Sequence, residues 1–265
     1  MSAQEASRVA ALKEAFGSNG PAFAALLDNI AKVNFDAYKN KCSSLVPVQT
    51  SLSALSKKVP KFWFTSLSRC PSLQAFFDPV DAEALTFLED VKVMHDEKDC
   101  RNFVIEFHFS SKNPFFSNTT LTKSLTVTPS GPNAAPAPTP YDLDADLYLS
   151  ASTPIKWTSP DHDLTKKAPR PDLETLEEFD AFDGMGSFFN WFGETGRDGM
   201  GIGESLLEWK GNAIEYAAGL VEDLDDGSEG MPSDDDDDSE DEDPTKEVDL
   251  ESEEDQPKKK KSKKA

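Results

Sequence analysis

Between Pro21 and Lys58, apolar side chains recur at Phe23, Leu26, Leu27, Ile30, Val33, Tyr38, Cys42 and Leu45, mostly three to five residues apart. That is near-helical spacing. Leu52 and Leu55 carry the pattern past Pro47, so the proline can bend the helix without ending it. Ser18 or Asn19 can cap its start, and Pro21 suits a first turn, where a missing amide proton costs nothing. At ~1.5 Å per residue the segment is a rod of about 57 Å. One compact domain cannot cover such a rod. From these residues alone two solutions stay open: the stripe pairs with a second copy of itself, or the chain breaks at Pro47 into two ordinary core helices. Upstream, residues 4–16 form a short amphipathic helix through Val9, Leu12 and Phe16, which Gly17-Ser-Asn-Gly20 stops.

After Val59 the texture changes to short elements around aromatic clusters. Phe62-Trp-Phe64 opens this part, and a helical stretch follows from Val80 to Glu89. In Phe103-Val-Ile-Glu-Phe-His-Phe109, the side chains of Phe103, Ile105, Phe107 and Phe109 share one face, which is the alternation of a half-buried strand. Val91 to Met94 and Leu121 to Val127 flank it as partners in an antiparallel meander. Leu143, Ala145, Leu147 and Leu149 alternate with polar residues and read as a further strand, after a Pro/Ala-rich loop from Pro129 to Pro140. Helical signals return at Asp172 to Phe182 and Glu204 to Leu207, with Phe188-Phe-Asn-Trp-Phe192 as an apolar anchor between them. The fold class is α+β: a long N-terminal helix, then an antiparallel sheet with helices at its side.

Charge sorts the chain a second way. It holds 49 acidic and 27 basic side chains among 265 residues, a formal charge of -22. Residues 222–255 hold 20 acids and one base, Lys246, and residues 256–265 hold six lysines and no acid. The body before them carries only about -9. Everything after about Asp223 is expected to be disordered, because such blocks repel one another and lack apolar surface to bury. Strong direct binding to nucleic acid is excluded, since that needs cations that displace counterions from phosphate. No membrane span and no signal peptide can be read, so the chain is expected to be intracellular.

The residues of catalytic and metal sites are not in pattern. His95, His108 and His162 are far apart, and none stands in an H-E-x-x-H motif. Cys42, Cys70 and Cys100 lack a C-x-x-C pair and read as reduced, partly buried thiols. No glycine-rich phosphate loop or nucleophile elbow occurs. Asp142-x-Asp144-x-Asp146 starts like a calcium loop, but Leu147 occupies the glycine position and Thr153 that of the bidentate Glu. Asn118-Thr-Thr120 matches a glycosylation acceptor, which an intracellular chain has no use for. No enzyme, cofactor or metal is expected.

The tail reads either as an inert solubilising segment or as a flexible polyanion that captures highly basic proteins and releases them to a competitor. Its acids are Asp234, Asp235, Asp236, Asp237, Asp238, Glu240, Asp241, Glu242 and Asp243, with others around them. Lys258, Lys259, Lys260, Lys261, Lys263 and Lys264 make a nuclear import signal for an importin, or a clamp that folds back on the acids. Ser233, Ser239 and Ser252 each have an acid three residues on, which suits an acidophilic kinase.

Several blocks resemble the nucleosome assembly protein family, most closely its SET branch. Val59-Pro-Lys-Phe-Trp63 is similar to the family's I-P-x-F-W turn after the long helix, and Asp81-x-Glu83-Ala-Leu85-x-x-Leu88 to its D-E-E-A-L-x-x-L helix. Phe103 to Phe109 followed by Asn113-Pro-Phe-Phe116-x-Asn118-x-x-Leu121-x-Lys123 resembles the F-x-F-x-x-N-P-Y-F-x-N-x-x-L-x-K signature. Thr153-Pro-Ile-Lys-Trp157, Asp163-Leu-Thr165 and Ser187-Phe-Phe-Asn-Trp-Phe192 are similar to later family blocks, so the likeness runs from about residue 20 to 220.

That resemblance implies a homodimer joined through the long helix, carrying two α+β earmuff domains whose acidic lower surfaces receive histones. The domains expected are an extension at 1–19, the dimerisation helix at 20–58, the earmuff at 59–221 and the tail at 222–265. Phe23, Leu26, Leu27, Ile30, Val33, Tyr38 and Leu45 form the expected dimer seam. Glu204, Glu208 and Glu215 are the expected histone contacts on the body, joined by the tail acids. Two departures stand out: Thr128 to Ser152 is longer and richer in proline than the family loop, and Asp172, Glu174, Glu177, Glu178, Asp180 and Asp183 replace a more basic linker. The implied function is a nuclear or shuttling histone chaperone for one or both core histone pairs. The alternatives are a SET-like phosphatase inhibitor or scaffold for a chromatin enzyme, and an import carrier for basic proteins.

Overall fold

A computed structural model describes residues 3–128, 139–150, 154–171 and 184–221. Met1–Asp223 make one compact unit, and Leu224–Ala265 lie outside the described residues. The expected disorder of the tail, the Pro/Ala-rich loop up to residue 138 and the helix from Asp172 to Phe182 also fall outside them.

Helix α1 spans Ala3–Phe16 and folds back on α2, Gly20–Ser56, through a single turn of 3₁₀ helix at Gly17–Asn19. No side chain caps α2, because the chain passes directly from one helix into the next. Gly17 takes φ +57°, and a Cβ on Gly20 would stand 2.6 Å from the Lys13 backbone, so close approach of α1 demands glycine there. Phe16 stacks on Phe23, 4.3 Å between centroids, and Arg8 pairs with Asp28. Helix α2 runs through Pro47 for 37 residues without a break. Pro47 removes one backbone bond, yet the helix continues because tertiary contacts hold both halves.

Lys61, the one non-glycine residue at positive φ among those described, turns the chain into α3, Phe62–Ser68. Two short helices, α4 at Pro71–Gln74 and α5 at Ala82–Leu85, lead to the sheet. The helix read from Val80 to Glu89 is shorter than expected: a 3₁₀ turn at Pro79–Asp81 and α5 make it up, and strand begins at Leu88. The strands are β1 Leu88–His95, β2 Phe103–Phe109, β3 Thr120–Thr126, β4 Tyr148–Leu149 and β5 Gly196–Arg197, paired antiparallel in that order. Phe103 faces Leu125, and Phe107 faces Leu121, so one side of the sheet is apolar but for Lys123, which faces Ile105 between them. The strand read from Leu143 to Leu149 shrinks to its last two residues. Burial still alternates there, with Ala145, Leu147 and Leu149 inside, but the Asp142 carboxylate accepts the Asp144 N–H and turns the chain away from the ladder.

The apolar side of the sheet packs on Phe188–Phe192, α3 and α7, Ile202–Gly211; α6, Leu164–Lys167, and α8, Ala213–Ala218, complete the layer. Phe188, Phe189, Trp191 and Phe192 are all buried, and Phe107 meets Phe188 and Phe192 edge-on at 5.7 and 5.5 Å. The family-like residues have structural work here. Asn118 bonds Pro154 and Lys156 on both sides of its amide, holding the strap whose Trp157 packs on Phe116. Asp81 is fully buried and accepts from the Ser187 hydroxyl at 2.6 Å, the Phe188 N–H at 2.7 Å and the Asp78 N–H at 3.0 Å. Burial pushes its carboxyl up to about 6, against three hydrogen bonds that favour the anion.

Replacing Asp81 leaves three buried donors unmatched. Asp81→Ala is expected to lower the unfolding free energy by about 3 kcal/mol and Asp81→Asn, which keeps one acceptor, by roughly half that. Urea denaturation followed by tryptophan fluorescence measures both; equal, small losses would show that the knot is not where the anchor segment is held.

Candidate functional site

At 100° per residue, the apolar residues of α2 divide into two faces. Ala24, Phe35, Cys42 and Ser53 fall on one, and this face is seated on the chain's own domain. Phe35 meets Tyr141 at 5.7 Å, Cys42 clusters with Cys100, and the Ser53 hydroxyl donates to the buried Asp90 at 2.9 Å. The other face carries Phe23, Leu26, Ile30, Val33, Val48 and Leu55; Phe16 of α1 touches Phe23 at its start, and the rest stands in water. Their exposures are 41, 54, 55, 67, 55 and 58%. A monomeric protein rarely leaves such a run of large apolar side chains in water.

The seven residues expected at a seam are therefore distributed unevenly. Phe23, Leu26, Leu27, Ile30 and Val33 are exposed. Leu45 is half-buried at the edge of that face. Tyr38 is half-buried against His95, 6.0 Å between rings, and already has its own domain as neighbour. Burial drives its hydroxyl pKa far up. Val48 and Leu55 extend the exposed face beyond Leu45; the apolar pattern runs past Pro47 to Leu55, but neither residue is among the seven expected at the seam.

Arg101 fixes the second part of the site. Its guanidinium grips Asp99 with two bonds of 2.9 and 2.7 Å, donates to the carbonyls of Thr139 and Asp142, both at 2.9 Å, and lies over the Phe35 ring at 5.7 Å. The paired guanidinium holds the Asp99 carboxyl below its ordinary range. One side chain thus ties α2, the turn after β1 and the loop of residues 139–147 together. Between them and α7 lies a cavity of about 340 Å³ whose lining includes Tyr38, Arg101, Leu143, Asp144, Glu204 and Leu207.

Helix α7 presents the acids. Ile202, Leu206 and Trp209 are buried, the Trp209 indole donates to Ser66 at 2.9 Å, and Asp198 accepts the Gly203 N–H at 2.7 Å. With that face pinned, Glu204 and Glu208 stand outward one turn apart, and Glu215 follows on α8. All three are exposed, as is Asp144, and none has a basic partner within ion-pair distance among the described residues. Asp146 differs, being paired with Arg197 at 2.6 Å. The structure brings Glu204 to the loop that holds Asp144. Asp144 is not among the expected contacts: alternation puts it on the polar side of a strand, and no local signal brings that side to α7. The tail acids Asp234 to Asp243, Lys258 to Lys264, Ser233, Ser239 and Ser252, and the acids from Asp172 to Asp183 lie outside the described residues. Among the described residues, no group of three or more His, Cys, Asp or Glu could hold a metal ion, and no helix is long and apolar enough to cross a membrane.

Two lysines are buried beneath this surface. Lys123 donates to the carbonyls of Phe192 and Glu194, and Lys210 sits over the Trp63 ring at 4.8 Å with no acceptor for its Nζ. Burial lowers each to about 8. A lysine whose folded pKa is depressed adds stability above its unfolded pKa, and loses it as pH falls through the folded value. Wild type should therefore gain roughly 2 kcal/mol over Lys210→Met between pH 8 and 10.5, somewhat under the full linkage value because of solvent screening. Urea midpoints at pH 8, 9 and 10 measure this, and parallel pH profiles for the two proteins would refute it.

A family model described as nucleosome assembly protein (NAP) matches residues 36–255. Protein SET of Drosophila melanogaster is 30% identical over 148 residues, covering 56% of this chain and 50% of that protein. The chain spans about half or less of the length of the first curated relatives it matches. Among solved structures, a Ccp1 mutant superposes with a TM-score of 0.57 at 19% identity, over 75% of this chain and 93% of that one. Vps75 superposes with a TM-score of 0.53 at 20% identity, over 75% and 96%. At these identities the two structures establish a shared fold.

Proposed function

The chain belongs to the nucleosome assembly protein family, in its SET-like branch, and from that premise we propose that it is a histone chaperone rather than an enzyme. The observation that carries the proposal is the set of unpaired carboxylates, Glu204, Glu208, Glu215 and Asp144, held outward on anchored elements. Carboxylates that have no internal partner keep their full attraction for an external cation. Their cargo is one or both core histone pairs, and the tail acids from Asp234 to Asp243 hold the basic extensions. Such contacts are long-ranged and screened by salt, so cargo is shielded without being trapped. Lys258 to Lys264 would direct the protein to the nucleus, and Ser233, Ser239 and Ser252 would add negative charge when phosphorylated.

In this proposal two copies join through the uncovered face of α2. An antiparallel pairing centred near Tyr38 sets Phe23 against Leu55, Ile30 against Val48 and Val33 against Leu45. Each half-exposed side chain so covered contributes on the order of 1 kcal/mol. Opposed helix dipoles favour the same arrangement.

Ile30→Asp combined with Val33→Asp should give monomers in sedimentation, and a persisting dimer would displace the seam from this face. Glu204→Lys combined with Glu208→Lys should weaken core histone binding about tenfold near 0.15 M salt, as expected when two uncompensated charges are reversed at a charged surface. Titration calorimetry with each histone pair at two salt concentrations reads this. Unchanged affinity for both pairs would remove α7 from the binding surface.

A further inference from the structure

Strand β1 forms one edge of the sheet, with β2 on a single side of it. The direction of its main-chain groups follows from three bonds. The Asp96 N–H reaches the Asn102 carbonyl at 2.9 Å and the Ser110 N–H the Phe87 carbonyl at 2.9 Å, whereas the Phe109 N–H turns the other way, to Thr119 at 2.8 Å. In register, Lys92 and Met94 therefore bond to β2, opposite Glu106 and Val104, while Val91, Val93 and His95 aim their N–H and C=O groups off the sheet. The Asp90 carboxylate takes the Val91 N–H at 2.9 Å. The Val91 carbonyl and both main-chain groups of Val93 and His95 meet no partner among the described residues.

Edges of this kind are usually blunted by a charged residue or a covering helix, and Lys92 and α2 supply both. The cover is incomplete. Helix α2 meets the two ends of β1, through Ser53 with Asp90 and Tyr38 with His95, and leaves a cleft of about 950 Å³ along it. That is near the top of the range of about 300–1,000 Å³ found for ligand clefts. Val93 lines the cleft although its side chain lies in the core, so its main chain is what the cleft meets. Val46 on the α2 wall is 61% exposed and Met94 on the β1 wall 44%. Val46 lies about 160° round the helix from Val48, so pairing of two copies through the Val48 face leaves it bare. Lys57 and Lys92 line the cleft, are exposed and join no ion pair among the described residues. Of the acids in the lining, Asp90 is buried, and Asp96 and Glu97 follow the end of β1 on the side of Lys39, whose charge acts on Asp99.

We infer that this cleft takes an extended segment of a partner protein, which adds to β1 as a further strand and carries carboxylates opposite Lys92 and near Lys57. The open groups recur at alternate residues, about 6.6 Å apart, and an extended peptide backbone presents matching donors and acceptors at that repeat. A helix spends its main-chain groups on itself, and a polyphosphate has no N–H to offer the carbonyls. Antiparallel addition is the more stable pairing. An apolar side chain opposite Met94 and an acid opposite Lys92 then set the register. The net charge of -22 repels the acids of the segment only weakly, since exposed charges are screened beyond about 8 Å at physiological salt. The site is separate from the acids of α7, and the inference does not depend on histone binding.

The full chain labelled with ¹⁵N-histidine gives three backbone amide signals to follow. Of these N–H groups His95 alone is open: His108 is paired with Asp90 inside the sheet, and His162 donates to Ser159 at 3.0 Å. His108→Gln and His162→Gln assign the signals. The probe is acetyl-Thr-Val-Thr-Glu-Thr-Glu-amide, which sets Val against Met94 and the first Glu against Lys92. Saturating peptide should move the His95 amide downfield and slow its hydrogen exchange at least tenfold, with the other two unmoved. Gln in place of both Glu should weaken binding about fivefold, as should Lys57→Glu with Lys92→Glu in the protein, a loss of the size two exposed ion pairs allow. N-methylation of the central Thr, whose N–H meets the Val93 carbonyl, should abolish binding, while N-methylation of the next residue, whose N–H points away, should be tolerated. Equal losses from the two methylations, an unmoved His95 signal, or binding indifferent to both charge changes would overturn the site. A His95 amide protected in the free protein but opened by Ile30→Asp with Val33→Asp would place a second copy on the edge and overturn the partner segment. Lys57 and Lys92 are exposed, so their double variant is expected to fold, as an unchanged thermal midpoint would establish; the methylated peptides test the pairing on the unaltered chain in any case.

Discussion

A helix of 37 residues with apolar side chains on two faces can be satisfied by its own domain on only one of them. The domain takes Phe35, Cys42 and Ser53, through the Tyr141 ring, Cys100 and Asp90. That seating fixes where the sheet stands relative to the rod. It also decides which apolar residues remain in water, and hence which face is open to a second copy.

Within the domain, buried polar groups join segments far apart in the chain. Asp81 gathers Asp78, Ser187 and Phe188, and so fastens the aromatic anchor of residues 188–192 to the short helix before the sheet. Lys123 stands on the apolar side of β3, between Leu121 and Leu125, and donates to the carbonyls of Phe192 and Glu194 at the other end of that anchor. The carbonyls that end a short helix need donors, and a lysine reaching across the core supplies them. Each bond is costly to break because its partner would be left buried and unmatched.

The surface separates by charge as the core separates by polarity. Glu204, Glu208 and Glu215 look outward because the opposite sides of α7 and α8 are locked by Trp209, Ser66 and Ala213. Arg101 spends its charge inside, on Asp99 and two carbonyls, so it does not neutralise Asp144 and Glu204 at the nearby cavity. The lysines that remain exposed near the end of α2 mark a different region with its own chemistry.

The amino-acid sequence by itself determined the elements whose signal is local: the period of α2, the alternation in β2 and β3, the glycines between α1 and α2, and the concentration of acid after residue 222. Where local signals conflicted it overreached, reading helix up to Glu89 and strand from Leu143, because periodicity over a few residues cannot sense that a sheet edge begins or that an Asp side chain turns the backbone. Tertiary structure alone decided that Tyr38 turns inward to His95, that the face of Val48 and Leu55 is left open, that Asp144 meets Glu204, and that Trp63 lacks an acceptor. Each depends on partners dozens of residues away. A helix repeat fixes which residues lie together, but only packing against distant chain decides which of its faces is covered.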